Sequence, residues 1–405
     1  MSGRDVRSPL RHFVTAVIRF IMRIFFRRIE LVGLEHVPRE GGVIFAVNHP
    51  NGLIDPLFLL SFVPRPISFL AKAPLFRYPL IGFLTRAFES IPVYRKQDNV
   101  SGTNSETFGR ARTLLARGGS IAIFPEGTTH SDARLRELKT GAARIALGCG
   151  CEEVIVPTGI YYTAKTTFRS SALVAFGDPI VVTPEAIGAD GEPPPERVDE
   201  LTRTIERGLA EVTLQADSHA ALELIARGER IFSGDDTQSL ANEFELRHRF
   251  VDGYHYLREH DPARLAELEA LIRRFEIAEV PARVSLPEVV AAIVLLPVAI
   301  AGAIINYPMY RFVGFLSKRL TDEDAIVATI KFIASATLFP LTWIAYALIF
   351  GWVALIAAPL SAYVALRVFE VLDDARRTRP MPIERENIRS RIMAVAEEMD
   401  AQTQQ

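Results

Sequence analysis

Phe332–Leu366 holds 35 consecutive residues without a charged side chain. As one helix rising 1.5 Å per residue it would extend about 52 Å, against a hydrocarbon core of about 30 Å. A water-soluble helical core does not readily hide such a run. It reads as two membrane segments turning near Phe350–Gly351, with Pro340 and Pro359 allowing bends. Trp343, Tyr346, Trp352 and Tyr363 are residues of the type found at interfacial depth. A shorter uncharged run, Val289–Ile305, contains Pro297 and Gly302 and either crosses the bilayer or dips into it. Basic residues occur both at Arg311–Arg319 and at Arg367–Arg379, so charge bias does not set the number of crossings.

At the other end, residues 10–28 carry Arg11, Arg19, Arg23 and Arg27 at helical spacing among Val14, Val17, Ile18, Ile21, Ile24 and Phe25. So many charges exclude a clean span. The pattern predicts a helix at the membrane interface with its basic side toward anionic headgroups; the competing reading is an amphipathic helix packed on its own domain. The arginines also break the first apolar stretch, so no cleavable signal peptide is expected. The formal net charge of −2 gives no overall attraction to nucleic acid. Cys149 and Cys151 are the two cysteines. They read as buried thiols of a reducing compartment, and with no second cysteine pair no metal site is expected.

Between these ends, short apolar runs alternate with helical periodicity, predicting an α/β domain with a mixed sheet and flanking helices. The predicted strands are Val43–Val47, Ile67–Leu70, Ile91–Tyr94, Ser120–Phe124, Val154–Thr158 and Ala172–Phe176. Predicted helices are Pro56–Phe62, Tyr78–Ala87, Thr103–Arg117, Lys139–Leu147 and, after the Pro/Gly/Glu-rich loop Thr183–Pro195, Arg197–Glu211. The organisation is thus an amphipathic interfacial helix (1–29), an α/β domain (30–215), a helical connector (216–285), membrane segments (286–370) and a polar C-terminal tail (371–405). His219, His248, His255 and His260 in the connector read as surface or packing residues.

The chemistry gathers around Val43–Asp55. A buried strand ends in Asn48 and His49, a Pro-Asn-Gly turn follows, and Asp55 stands before an apolar helix where it can cap and fold back to the imidazole. A histidine with an orienting acid is the minimum apparatus of a general base. By itself the pair also reads as a turn histidine beside an aspartate N-cap. Three more stretches supply what one chemistry requires. IPVYR ends in Arg95, whose guanidinium can grip a phosphate bidentately. AIFPEGTT offers Glu126, Gly127 for close backbone approach, and the hydroxyls of Thr128 and Thr129 for a polyol or phosphate oxygen. Lys139 supplies a second cation. No G-x-S-x-G elbow accompanies the histidine, so a direct mechanism is expected: His49 deprotonates a substrate hydroxyl that attacks an activated carbonyl.

NHPNGLID, IPVYR, FPEGTTH and VIVPTG, in this order over Asn48–Gly159, resemble the four blocks of the glycerolipid acyltransferases of the phosphate acyltransferase superfamily. The resemblance implies His49 and Asp55 as the catalytic pair and Arg95, Glu126 and Gly127 as binders of the glycerol phosphate acceptor. It implies acyl-CoA or acyl-ACP (acyl carrier protein) as co-substrate, with no metal or other cofactor. One departure matters: five residues, not four, separate His49 from Asp55. The longer spacing resembles the fungal-type glycerol-3-phosphate/dihydroxyacetone-phosphate acyltransferases, as do Phe168–Ile180, Val212–Phe232 and apolar segments near the C-terminus. The expected function is transfer of an acyl group to glycerol 3-phosphate, in a membrane and with the catalytic domain on the cytoplasmic side. The alternatives are acylation of the monoacyl form (lysophosphatidate), dihydroxyacetone phosphate as acceptor, or a non-catalytic membrane protein that binds phosphorylated ligands.

Overall fold

The computed structural model describes residues 9–94, 104–189, 191–233, 239–274 and 285–376, together with 388, 390–395 and 397–398. Two compact units emerge: Met1–Leu214 with Glu323–Thr329, and Gln215–Asp322 with Ile330–Gln405.

In the first unit, the apolar runs pair into a mixed sheet. Its strands are β1 (Arg28–Val32), β2 (Val43–Val47), β3 (Ser68–Lys72), β4 (Ile91–Val93), β5 (Ser120–Ile123), β6 (Glu153–Tyr162), β7 (Ser171–Phe176) and β8 (Ile180–Val182). The order is β1-β7-β6-β2-β5-β3-β4, with β8 also on β6. β6 is paired antiparallel with β8 over Glu153–Ile155 and with β7 over Thr158–Tyr162. The remaining pairs are parallel. Every residue of β2 is buried, as expected of a central strand covered on both faces. The flanking helices are α1 (Pro9–Phe25), α2 (Ile54–Phe62), α3 (Pro79–Ala87), α4 (Asn104–Ala116), α5 (Gly141–Leu147) and α6 (Pro195–Glu211).

Two strands escaped the sequence reading. β1 begins in charged Arg28 and has Glu30 at its centre, and its hydrogen bonds go to β7, some 140 residues on. β8 is three residues long. The N-terminal helix buries one side on its own unit. Two of its arginines reach carbonyls of the same unit, Arg11 donating to Ile67 O (3.0 Å) and Arg19 to Ser61 O (2.6 Å), beside buried Ile18, Met22 and Phe25, while Arg19, Arg23 and Arg27 stay exposed. The exposed stripe is apolar, formed by Leu10, Phe13, Val17 and Phe20 at helical spacing. Carbonyls at the ends of neighbouring elements accept these two guanidinium groups.

The second unit contains α7 (His219–Ser233), α8 (Leu240–His260), α9 (Pro262–Arg274), α10 (Leu286–Leu320), most of α11 (Asp324–Phe350) and α12 (Ala354–Arg376). Leu224 and Ile231 pack with Ile272 and Ile388, and Leu257 with Leu268 and Val395. The segment read as a polar tail therefore places Ile388 and Val395 in a core. His248 and His260 lie against aromatic rings of their own helix.

Among the described residues, α10, α11 and α12 are long and apolar enough to cross a membrane. α10 is one helix of 35 residues through Pro297 and Pro308, opened by a capping box of Ser285 and Glu288. Gly351, at φ +93°, makes the turn between α11 and α12. α10 and α12 meet through Ala292, Ala299 and Ala365, and a Cβ on Gly302 would stand 2.1 Å from the Ser361 carbonyl oxygen. Small residues of this kind let apolar helices approach closely without help from water. Asn306 ties the three helices together, donating to Ala358 O (3.3 Å) and accepting from Trp343 Nε1 (2.9 Å).

Candidate active site

β2 and β5 are parallel neighbours in step, with Val43 opposite Ser120 and Ala46 opposite Ile123. Residues 48–55 and 124–130 therefore leave the sheet side by side at its carboxyl edge, where open α/β sheets commonly bind ligands. Asn48 locks this exit. Its side-chain amide accepts from the Ile160 N–H (2.7 Å) and donates to the Ile160 carbonyl (3.1 Å), adding a rung between β2 and β6.

His49 is held on every side. Its N–H donates to Glu126 Oε1 (3.0 Å), its carbonyl accepts from the His130 N–H (3.2 Å), and its ring stacks on Phe124 at 4.0 Å and 21°. Nδ1 lies 2.8 Å from Asp55 Oδ2. The longer spacing between them is absorbed by the turn, with Gly52 at φ +39° and the Ile54 N–H returning to the Asn51 carbonyl (3.0 Å). Asp55 is not the cap of α2. That position is Leu53, and Asp55 sits in the first turn with its carboxylate reaching back to the Asn51 N–H (2.7 Å).

The Asp55 side chain is fully buried and takes three donors: the Asn51 N–H and His49 Nδ1–H on Oδ2, and the Tyr162 hydroxyl on Oδ1 at 2.6 Å. An ionised carboxylate accepts only, so Nδ1 carries the imidazole proton and Nε2 keeps its lone pair. The His49 side chain, 15% exposed, is where solvent reaches this pair. Burial, and then the Asp55 charge, push the Tyr162 hydroxyl well above the ordinary phenol range, so it stays a neutral donor.

Glu126 is buried and both its oxygens are engaged by the protein. Oε1 holds the His49 amide, while Oε2 accepts from the His130 ring and from the Arg136 N–H (3.0 Å). The Asp132 N–H donates into His130 Nδ1 (3.1 Å), which fixes the proton on the other ring nitrogen. Glu126 thus joins the His49 turn to the 130–136 loop. Gly127, at φ +72°, presents open backbone beside the Lys139 stem, with Lys139 Cγ 3.5 Å from where a Cβ would be. Thr128 is half-buried with its hydroxyl 3.4 Å from the Thr129 carbonyl, and the Lys139 N–H donates to Pro125 O (2.7 Å). The structure gathers His49, Asp55, Glu126 and Gly127 at one edge, with Lys139 adjoining. Arg95 lies outside the described residues.

Sequence reasoning did not single out Tyr162, Phe124 or Lys165. Tyr162 stands three residues beyond the VIVPTG block and, by strand periodicity, on the face of Ile160, the partner of Asn48. Lys165 donates to Ser131 Oγ. Burial lowers its pKa against the opposing pull of the Asp324, Asp55 and Asp132 charges.

Residues 28–161 match the family model described as Acyltransferase, a range that contains all four sequence blocks. The glycerol-3-phosphate O-acyltransferase 1 of Saccharomyces cerevisiae is 26% identical over 80% of this chain and 57% of its own length. A chloroplastic 1-acyl-sn-glycerol-3-phosphate acyltransferase of Arabidopsis thaliana is 28% identical over 39% of this chain and 43% of its own. The 1-acyl-sn-glycerophosphate (LPA) acyltransferase structure from Thermotoga maritima aligns with a TM-score of 0.38 and 19% identity, over 53% of this chain and 86% of that one. The chain spans a little over half the length of the yeast relative and under half that of the plant one.

Proposed function

Taking residues 28–161 as an acyltransferase domain of the glycerolipid family, we propose that the protein moves a fatty acyl group from acyl-CoA or acyl-ACP to a hydroxyl of glycerol 3-phosphate. The observation that carries this is the 2.8 Å contact of His49 Nδ1 with a fully buried Asp55, which leaves Nε2 basic at the sheet edge. His49 Nε2 takes the acceptor hydroxyl proton as that oxygen attacks the thioester carbonyl. The new C–O ester bond forms, the C–S bond breaks, and the proton passes to the leaving thiolate. Asp55 holds the tautomer and stabilises the imidazolium that forms. A base so positioned is worth about 10²–10⁴-fold.

Glu126 acts here as a positioning residue through the His49 amide and the His130 loop. Lys139, and Arg95 by its place in the sequence, are the cations for the acceptor phosphate, beside the Gly127 backbone and the Thr128 hydroxyl. The apolar stripe of α1 lies in the lipid interface, α10–α12 cross the bilayer, and the catalytic domain faces the cytoplasm.

Detergent-purified protein assayed with one acyl-CoA and one acyl-ACP against glycerol 3-phosphate, dihydroxyacetone phosphate and monoacylglycerol phosphate tests the reading. Thiol release with glycerol 3-phosphate and not with its monoacyl form is expected. Release with the monoacyl form alone would move the protein to the second acylation, which the plant relative's name favours. No release with any acceptor would leave a ligand-binding protein.

A further inference from the structure

At the opposite edge of the sheet, the turn between α5 and β6 folds Cys149, Cys151 and Glu153 into a cluster whose donor atoms all lie within 4.8 Å of one another. Gly150, at φ +79°, makes the reversal that brings the two sulfurs to 3.5 Å. Each Sγ is 3.1 Å from Glu153 Oε1. The third donor is a carboxylate that a cysteine count does not reveal.

The electrostatics of this cluster are incomplete by the protein's own groups. Glu153 is 1% exposed. Its Oε1 takes two thiols, which are weak donors, and its buried Oε2 has no hydrogen-bond partner among the described residues. Arg65 acts on it through space, and its two terminal nitrogens donate instead to the carbonyls of Pro38, Gly41 and Gly118. A buried carboxylate in such a setting is costly unless a cation compensates it.

The geometry points to a binding site for one thiophilic divalent cation of the zinc type, ligated by Cys149, Cys151 and Glu153. Two sulfurs and one carboxylate oxygen select a borderline-soft ion over magnesium or calcium. Tetrahedral zinc with bonds of about 2.3 Å to sulfur and about 2.0–2.2 Å to oxygen needs ligand atoms roughly 3.5–3.8 Å apart, so these donors spread by a few tenths of an ångström. Both cysteines are half-buried, which gives the ion a path in and water the fourth position. Binding replaces the two thiol protons, which are released, and gives a site of net charge −1 facing Arg65. The ion joins the α5–β6 turn to the start of the strand whose far end supplies Tyr162. Its role is to hold the fold, and it takes no part in acyl transfer.

Titration of the reduced full-length protein with Co²⁺ tests this. One equivalent should give a thiolate-to-cobalt charge-transfer band, zinc should abolish it, and zinc should block alkylation of both cysteines and raise the melting temperature. Cys149→Ser/Cys151→Ser should lose the band and the thermal shift. Absence of the band in the reduced wild-type protein would overturn the proposal, as would full alkylation of both thiols in the presence of zinc. Equally strong binding by the double serine variant would also overturn it, by assigning the ion to one of the histidines. The alkylation measurement needs no variant and decides the matter if the double substitution does not fold.

Discussion

Asp55 and Glu153 are both buried carboxylates, one just beyond the carboxyl edge of the central strands and one at the amino edge. Asp55 collects a backbone amide, an imidazole N–H and a phenol, distributed over both oxygens. Glu153 collects two thiols on one oxygen and nothing on the other among the described residues. The same functional group is thus a finished part of the protein at one edge and half of a site at the other. A fully satisfied carboxylate can hold a neighbouring histidine in one tautomer. An under-satisfied one is a reservoir of unfavourable energy that a cation relieves.

Replacing each group tests that contrast. Asp55→Asn should do most: an amide cannot accept all three donors, so acyl transfer should fall by about 10²–10⁴-fold and stability by about 1–3 kcal/mol, read by thiol release and by thermal melting. His49→Ala should match the loss of rate, about 10²–10⁴-fold, and, because it also takes a donor from Asp55, should lower stability by about 1.5–3 kcal/mol; near-normal turnover would remove His49 as the base. Tyr162→Phe removes one donor to a charged acceptor and should cost about 1.5–3 kcal/mol. Its pH signature is separate. The folded phenol keeps its proton above about pH 10 while the unfolded one loses it, so wild-type stability should fall as pH rises past that value. The Phe variant should lack this component in a melting series from pH 8 to about pH 11.

The smallest effect should come from Glu153→Gln. In chelator, removing a poorly satisfied buried charge should leave stability within about 1 kcal/mol of wild type or raise it, and the variant should show no zinc-dependent rise in melting temperature. A large fall in chelator would mean that Glu153 is as well satisfied as Asp55, and the contrast would fail.

Much of the frame is legible in the sequence. The runs at Val43–Val47 and Ser120–Phe124 are continuous, β-branched and bounded by glycine, so their strands appear where they were expected. β1 was not legible because charged residues open and divide it, and its partner lies far along the chain. The His49–Asp55 pair could be read from a turn of a few residues, and the structure shows that the extra residue is taken up locally at Gly52. What Glu126 faces could not be read. A motif shows that a carboxylate is present but not whether its oxygens meet ligand or backbone.

The sequence by itself determined the parts whose cause is local: strands and helices from apolar spacing, turns from glycine and proline, and a membrane-held end from 35 uncharged residues. Tertiary structure alone decided which donors each buried carboxylate receives. Tyr162 reaches Asp55 across 107 positions because β6 runs beside β2 in one register. Arg11 and Arg19 of α1 find carbonyls remote in sequence as their acceptors. Hydrogen bonds are short-ranged in space and indifferent to distance along the chain, so their partners are settled only when the sheet has closed.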